Sequence, residues 1–117
     1  IRQFMEISDT PTDGLAKVRT LAGRSRKTLD AALAAWDARL ARLKIPGDRM
    51  RFAPALGHAF DYYDGMTFEV RSESLGTDRQ ISVGGRYDDL LARLGGRAGR
   101  AVGCVVRPWR AFAGGES

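Results

Sequence analysis

Cysteine and histidine occur once each in the 117 residues, as Cys104 and His58. A single thiol closes no internal disulfide, so a reducing, cytoplasmic setting is the expectation. With no acids at ligand spacing around them, these two residues make no zinc site of the usual kind, and no metal is expected. Long apolar runs are missing as well. Nothing approaches the ~20 residues that a membrane helix needs, and no signal peptide opens the sequence. There are no internal repeats, no Ser-His-Asp constellation and no carboxylate pair in a recognisable catalytic context. Neither a Walker loop nor a dinucleotide fingerprint is present. The chain opens on Ile1 rather than Met, which leaves room for a longer protein of which this is a piece.

What is present is ordinary globular composition, 44% hydrophobic and 28% charged, enough for one modest domain and too little for two. The formal net charge is +5 and the pI about 10.0, a balance that raises the question of nucleic acid. The basic residues are scattered, however, through "RSRK", "RLARLK" and "GGRAGR". No basic stripe is interleaved with aromatics, so solvated arginines on helix faces and loops are favoured over a nucleic-acid surface. Cys104, inside "AVGCVV", reads as a small buried hydrophobe.

Along the chain, Ile1, Phe4 and Met5 have the spacing of a helix end. "SDTPTDG" is a loop, and Thr12 or Asp13 is the expected N-cap of a short helix through Leu15, Val18 and Leu21 that Gly23 ends. A longer helix is predicted from about Ser25 to Leu43. Its Leu29, Leu33, Trp36, Leu40 and Leu43 step by 4, 3, 4 and 3, one apolar stripe that reads as core or interface. "IPGD" stops it. From Met50 the pattern changes to strands: "MRFAPAL", with Pro54 marking an edge or irregularity; the alternating "MTFEVRS"; and "RQISVGG". "RYDDLLARL" reads as a short helix, "AVGCVV" as a fully buried strand and "PWRAF" as the start of another helix with Pro108 in its first turn. The expected division is a helical region over 1–48, a sheet region over 49–112 and a flexible tail over 113–117. Helices followed by strands broken by short helices argue for an α+β domain with a mainly antiparallel sheet.

Three segments near strand ends could carry chemistry: "HAFDYYDG", "GGRYDDL" and "CVVRPWR". Gly84 and Gly85 permit close approach of a ligand, or merely the strand-to-helix turn; a glycine pair before a helix is also a weak anion-seat pattern. Tyr63 and Tyr87 could point hydroxyls into a pocket, or pack as core aromatics. Asp61 and Asp88 suit either ion pairs with Arg86 or ligand contacts.

In this order and spacing, "FDYYDGMTFEV", "ISVGGRYDDLLARLGG" and "AVGCVVRPWR" resemble the later half of the histidyl-tRNA synthetase catalytic core. They are more similar still to its non-aminoacylating relative, the regulatory subunit of ATP phosphoribosyltransferase. The resemblance covers about Ala55 to Arg110. It implies a class II aminoacyl-tRNA synthetase-like fold, a mainly antiparallel sheet flanked by helices. It also implies a histidine pocket walled by Tyr63 and Tyr87 with Gly84 and Gly85 beside them, supported by Asp61, Tyr62, Arg86 and Asp88. The departures are specific. The synthetase motif reads Arg-Gly-Leu-Asp-Tyr-Tyr-Thr-Gly, and its arginine is His58 here, which near neutral pH is mostly uncharged. Where the third class II motif ends Gly-Leu-Glu-Arg, this chain has Arg107, Pro108, Trp109 and Arg110. The sequence also stops shortly after Arg110, before any anticodon-binding domain. The resemblance therefore implies a non-catalytic regulatory subunit for the first step of histidine biosynthesis. It would take no cofactor, with histidine as effector, in a hetero-oligomer with the catalytic subunit and self-associating through its core. A fragment of a true synthetase using ATP and tRNA is the alternative, and a basic nucleic-acid module comes last.

Overall fold

The start of the second helix shows how local chemistry sets the helices. Thr10 caps α2 (Pro11–Ala22), its hydroxyl accepting from the Asp13 N–H at 3.4 Å. The cap is Thr10 rather than Thr12 or Asp13 because Pro11 takes the first helical position, where a missing N–H costs nothing. The computed structural model describes residues 1–56, 63–76 and 79–115. They fall into two units, Ile1–Ala55 and Leu56–Ser117, a division seven residues beyond the expected one at 48.

In the first unit, α1 (Arg2–Met5) is a single turn, and α2 ends at Gly23, whose φ of 48° is one that glycine adopts readily. A 3-10 turn, Gly23–Ser25, leads into α3 (Arg26–Arg42), which packs on α2. The core is Ile7, Leu15, Val18 and Leu33, with Trp36, Leu40 and Phe52 packed against it. Trp36 meets Phe52 edge to face, 5.5 Å between centroids. Only the middle of the predicted stripe is enclosed. Leu29 and Leu43 are exposed: α2 has already ended near the first, and the second has left the helix with extended backbone. The "MRFAPAL" strand is likewise reduced to one bridge. Phe52 exchanges hydrogen bonds with Asp9 (2.7 and 3.3 Å), and Pro54, which has no N–H for a ladder, sits in a turn. Asp9 also accepts from Lys17 at 2.6 Å, and that bond holds its carboxyl below the usual value.

The second unit is a three-stranded antiparallel sheet in the order β1 (Thr67–Arg71), β2 (Gln80–Arg86), β3 (Val102–Val106). A register shift at Val70/Arg71 ends the regular part of β1. The alternation in "MTFEVRS" does not sort cleanly by burial. Val70 is exposed, whereas the Glu69 side chain is almost fully enclosed and accepts from Arg71 Nε at 2.7 Å. α4 (Leu90–Arg93) is shorter than "RYDDLLARL" suggested, because β2 runs through Arg86 and residues 87–89 form the turn; Gly95, at φ 84°, follows it. α5 (Pro108–Gly115) packs on β2 and the 3-10 turn Glu73–Leu75. It carries helix three residues past Phe112, into the expected tail.

β3 is the largest departure. The run read as a buried strand is one of the two outer strands of the sheet. Val102 and Val106 are exposed, and so is Cys104. An apolar run is equally compatible with both placements, and strand order decides between them.

Leu15 is 1% exposed and Leu29 38%, which separates their expected mutational costs. Leu15→Ala should lower stability by ~2–5 kcal/mol, while Leu29→Ala should stay within ~0.5 kcal/mol of the parent in urea denaturation followed by circular dichroism. Similar losses for both would dismiss this core.

Candidate functional site

The site begins with a strand that has almost no side chains where side chains would be in the way. Gly85 of β2 pairs across the ladder with Gly103 of β3. A ring lies against each of them. A methyl group on Gly85 would fall 2.6 Å from Tyr63 Cδ1 and 2.9 Å from the Met66 carbonyl oxygen. One on Gly103 would fall 2.6 Å from the Tyr87 hydroxyl oxygen. The two glycines thus make a flat floor on which Tyr63 and Tyr87 rest, their centroids 6.2 Å apart and their planes at 54°.

Gly84 is not part of that floor. Alternation along the strand turns its Cα hydrogens to the opposite face, against Phe68 and Cys104. There a methyl group would meet the Gly103 carbonyl oxygen at 2.5 Å and Cys104 Cβ at 2.6 Å. Nor do the two glycines form a strand-to-helix turn or an anion seat. Both lie inside β2, paired on each side, and α4 begins only at Leu90.

The turn after β2 is held by charge and hydrogen bonds. Arg86 Nε donates to Asp88 Oδ2 at 2.6 Å, and the Ala101 N–H donates to Asp88 Oδ1 at 3.0 Å. The Arg86 bond, foremost, keeps the Asp88 carboxyl below its usual value, against the opposing effect of desolvation. The Tyr87 N–H donates to the Ala101 carbonyl at 2.9 Å, so the tyrosine backbone extends the β2–β3 ladder by one step. On the other side, the Asp64 N–H donates to the Arg86 carbonyl at 3.1 Å, and its carboxylate accepts from the Asp88 and Asp89 N–H groups at 3.1 and 2.7 Å. Beside this turn an open hollow of about 550 Å³ is lined by Tyr63, Asp64, Asp89, Ala92 and Arg93.

Of the residues named from the sequence, Tyr63, Tyr87 and Gly85 come together, and Arg86 and Asp88 pair in the adjoining turn. Arg110 lies elsewhere, on α5. Its Nη1 donates to the Gln80 carbonyl at 3.0 Å, at the far end of β2. His58, Asp61 and Tyr62 lie outside the described residues. Arg107 turns inward, and its Nη1 is enclosed with no hydrogen-bond partner among the described residues, whereas Trp109 is exposed. Among the described residues no group of three or more His, Cys, Asp and Glu side chains could hold a metal ion. No helix among them is long and apolar enough to cross a membrane. Sequence reasoning missed Gly103, Asp64, Asp89 and the α4 residues. A glycine amid β-branched residues was a usable signal for Gly103, since it marks close approach in a strand. Asp64 carried only the ordinary signature of an Asp-Gly turn.

A family model described as histidyl-tRNA synthetase matches residues 2–109, and the chain belongs to that family. Several relatives within it share one printed name. The chain is 38% identical over 100 residues to the ATP phosphoribosyltransferase regulatory subunit of Sinorhizobium medicae (strain WSM419), covering 83% of this chain and 26% of that protein. It is 39% identical over 100 residues to the protein of that name from Rhizobium meliloti (strain 1021), with the same coverage of 83% and 26%. The protein of that name from Mesorhizobium japonicum is 35% identical over 101 residues, again covering 83% of this chain and 26% of that protein. The chain therefore spans about a quarter of the length of these curated relatives. No solved structure matches it.

Two outcomes follow from this geometry. Gly85→Ala and Gly103→Ala should each cost ~1–3 kcal/mol and displace a tyrosine ring, read as shifted Tyr63 or Tyr87 aromatic resonances. Gly99→Ala, whose added methyl group would meet only Leu91 Cδ1 at 3.5 Å, is the control that should change neither. The second concerns acid. Because the folded-state value of Asp88 lies below 3.8, its contribution to stability is complete above 3.8 and is lost as pH falls through the lower folded value. Asp88→Asn should therefore lower the melting temperature near neutrality, with a deficit that shrinks below about pH 4. A deficit independent of pH would show that the ion pair contributes nothing.

Proposed function

We propose that the protein carrying this chain is a non-catalytic regulatory subunit of ATP phosphoribosyltransferase. It acts in the first step of histidine biosynthesis, completing a hetero-oligomer with the catalytic subunit and responding to histidine as feedback effector. The observation that carries the reading is the pair Tyr63 and Tyr87 on the Gly85–Gly103 floor. The two rings form one aromatic wall, Tyr63 of the pair also lines the open hollow, and polar-tipped phenols there suit a flat, polar-edged ligand such as an imidazole. The relatives' printed name supports the assignment of role.

The groups that adenylation would need support the regulatory reading rather than the synthetase one. Transfer to a carboxylate from ATP requires fixed positive charge where negative charge develops on phosphorus. At the position of the synthetase arginine this sequence has His58, and a histidine is not the permanent charge that an arginine is. Arg110 spends a donor on the Gln80 carbonyl, and Arg107 and Trp109 add bulk where the synthetase motif has glycine and glutamate. No cofactor is required for such a role. The subunit is cytoplasmic, self-associates through its synthetase-like core and has no nucleic-acid partner.

The test uses the protein expressed from its own gene together with its cognate catalytic subunit. The two should co-purify, histidine should bind, and phosphoribosyl transfer should fall when histidine is added. Histidine-dependent exchange of pyrophosphate into ATP by the subunit alone should be silent. Robust exchange would make the protein a synthetase; separate elution at micromolar concentration would remove the hetero-oligomer.

A further inference from the structure

Tyr63 and Tyr87 are 24 residues apart in the chain, so their 6.2 Å spacing has to be imposed by something. The floor fixes how deep each ring lies, but not the relation between the two segments that carry them. Residue 64 makes that connection. Its N–H bonds the carbonyl of Arg86, the residue before Tyr87, and its carboxylate bonds the N–H groups of Asp88 and Asp89, the two residues after it. Three hydrogen bonds from one residue therefore bracket Tyr87, and that residue follows Tyr63 directly.

The chemistry is particular to a carboxylate. Two consecutive backbone N–H groups need two acceptor oxygens at fixed separation, and an aspartate offers two with no donor. Asparagine would satisfy one N–H and set its own NH₂ against the other. Threonine would offer a single oxygen. Bonds from N–H to an ionised oxygen are also stronger than neutral ones. The turn they hold includes Asp89, which with Asp64 and Tyr63 lines the open hollow.

We infer that Asp64 is a positioning residue for the aromatic pair: it clamps the Tyr63 segment to the Tyr87 turn and so sets the spacing and tilt of the two rings. The inference rests on the reading of that aromatic wall as part of an imidazole site, and it assigns Asp64 no contact with the ligand. A clamp and a ligand contact have different consequences. A carboxylate touching bound histidine would meet its ammonium group, which imidazole lacks. A clamp acts on the wall itself, so both molecules should feel its loss equally.

The experiment compares the parent protein, expressed from its own gene, with Asp64→Ala, Asp64→Asn and Asp64→Thr. Calorimetric titration with L-histidine and with imidazole is read alongside amide hydrogen exchange at Asp88 and Asp89. Loss of the clamp should weaken both ligands by the same factor, about tenfold or more for Asp64→Ala and Asp64→Asn. It should also speed exchange at both amides, with Asp64→Thr intermediate in each measure. Weakening confined to histidine, or amide exchange unchanged in Asp64→Ala, overturns the inference. If the parent binds neither ligand, the imidazole reading fails, and the clamp is decided on its own by the exchange rates and the Tyr63–Tyr87 ring contacts in the variants.

Discussion

Everything about the candidate site depends on the absence of two β-carbons. Gly85 and Gly103 face each other across the ladder, and only there can two phenol rings lie directly on backbone. With any side chain at either position the rings would be lifted, and the space between them would become ordinary core. A strand interior is an expensive place for glycine, which gives up more conformational freedom than any other residue and packs nothing itself. The sheet tolerates it because the tyrosines return the contact: Gly85 lies against the Cδ1–Cε1 side of the Tyr63 ring and Gly103 against the hydroxyl end of Tyr87. β2 is also the middle strand, hydrogen-bonded along both edges, so Gly85 sits where the ladder is best supported, while Gly103 lies on an outer strand.

The polar part of the site follows from the same arrangement. Where β2 runs out at Arg86, the chain must turn without losing the tyrosine that comes next. Backbone pairing continues for one residue beyond the strand, through Tyr87 and Ala101, and two aspartates take over from there. Asp88 ties the turn to β3 and to Arg86, and Asp64 ties it to the residues before β1. Each carboxylate is used as an acceptor for N–H groups that the end of the ladder leaves exposed. The acidic appearance of Asp64 and of "RYDD" is thus mostly turn chemistry, even though it lies beside the open hollow.

How much of this was legible beforehand varied with the kind of signal. The helix through Leu33, Trp36 and Leu40 was plain from its stepping, because helical periodicity is a local property. Which leucines of the stripe would be covered was not, since that depends on where α2 stops. The tyrosines and Gly85 were found as a group by resemblance, and their contact is visible in the structure. Gly84 was grouped with them because adjacency in sequence says nothing about which face a residue takes until the strand is placed. β3 was misjudged for the same reason on a larger scale. "AVGCVV" has the composition of a central strand, and composition cannot report position within a sheet. Thr10 lost out to Thr12 and Asp13 because the proline that follows it was counted as loop rather than as the first residue of the helix.

The order of strands in the sheet is the order in the chain, β1, β2, β3, with no crossover. Each ladder therefore closes a connection of modest length, and the loop-closure entropy that slows sheets of tangled topology is small here. The floor and both rings come from a single continuous stretch, Tyr63 to Gly103. In time rather than in space, this means that the aromatic pair does not wait for distant parts of a chain to arrive. Once β3 is free to pair with β2, every residue of the floor and both rings is already present.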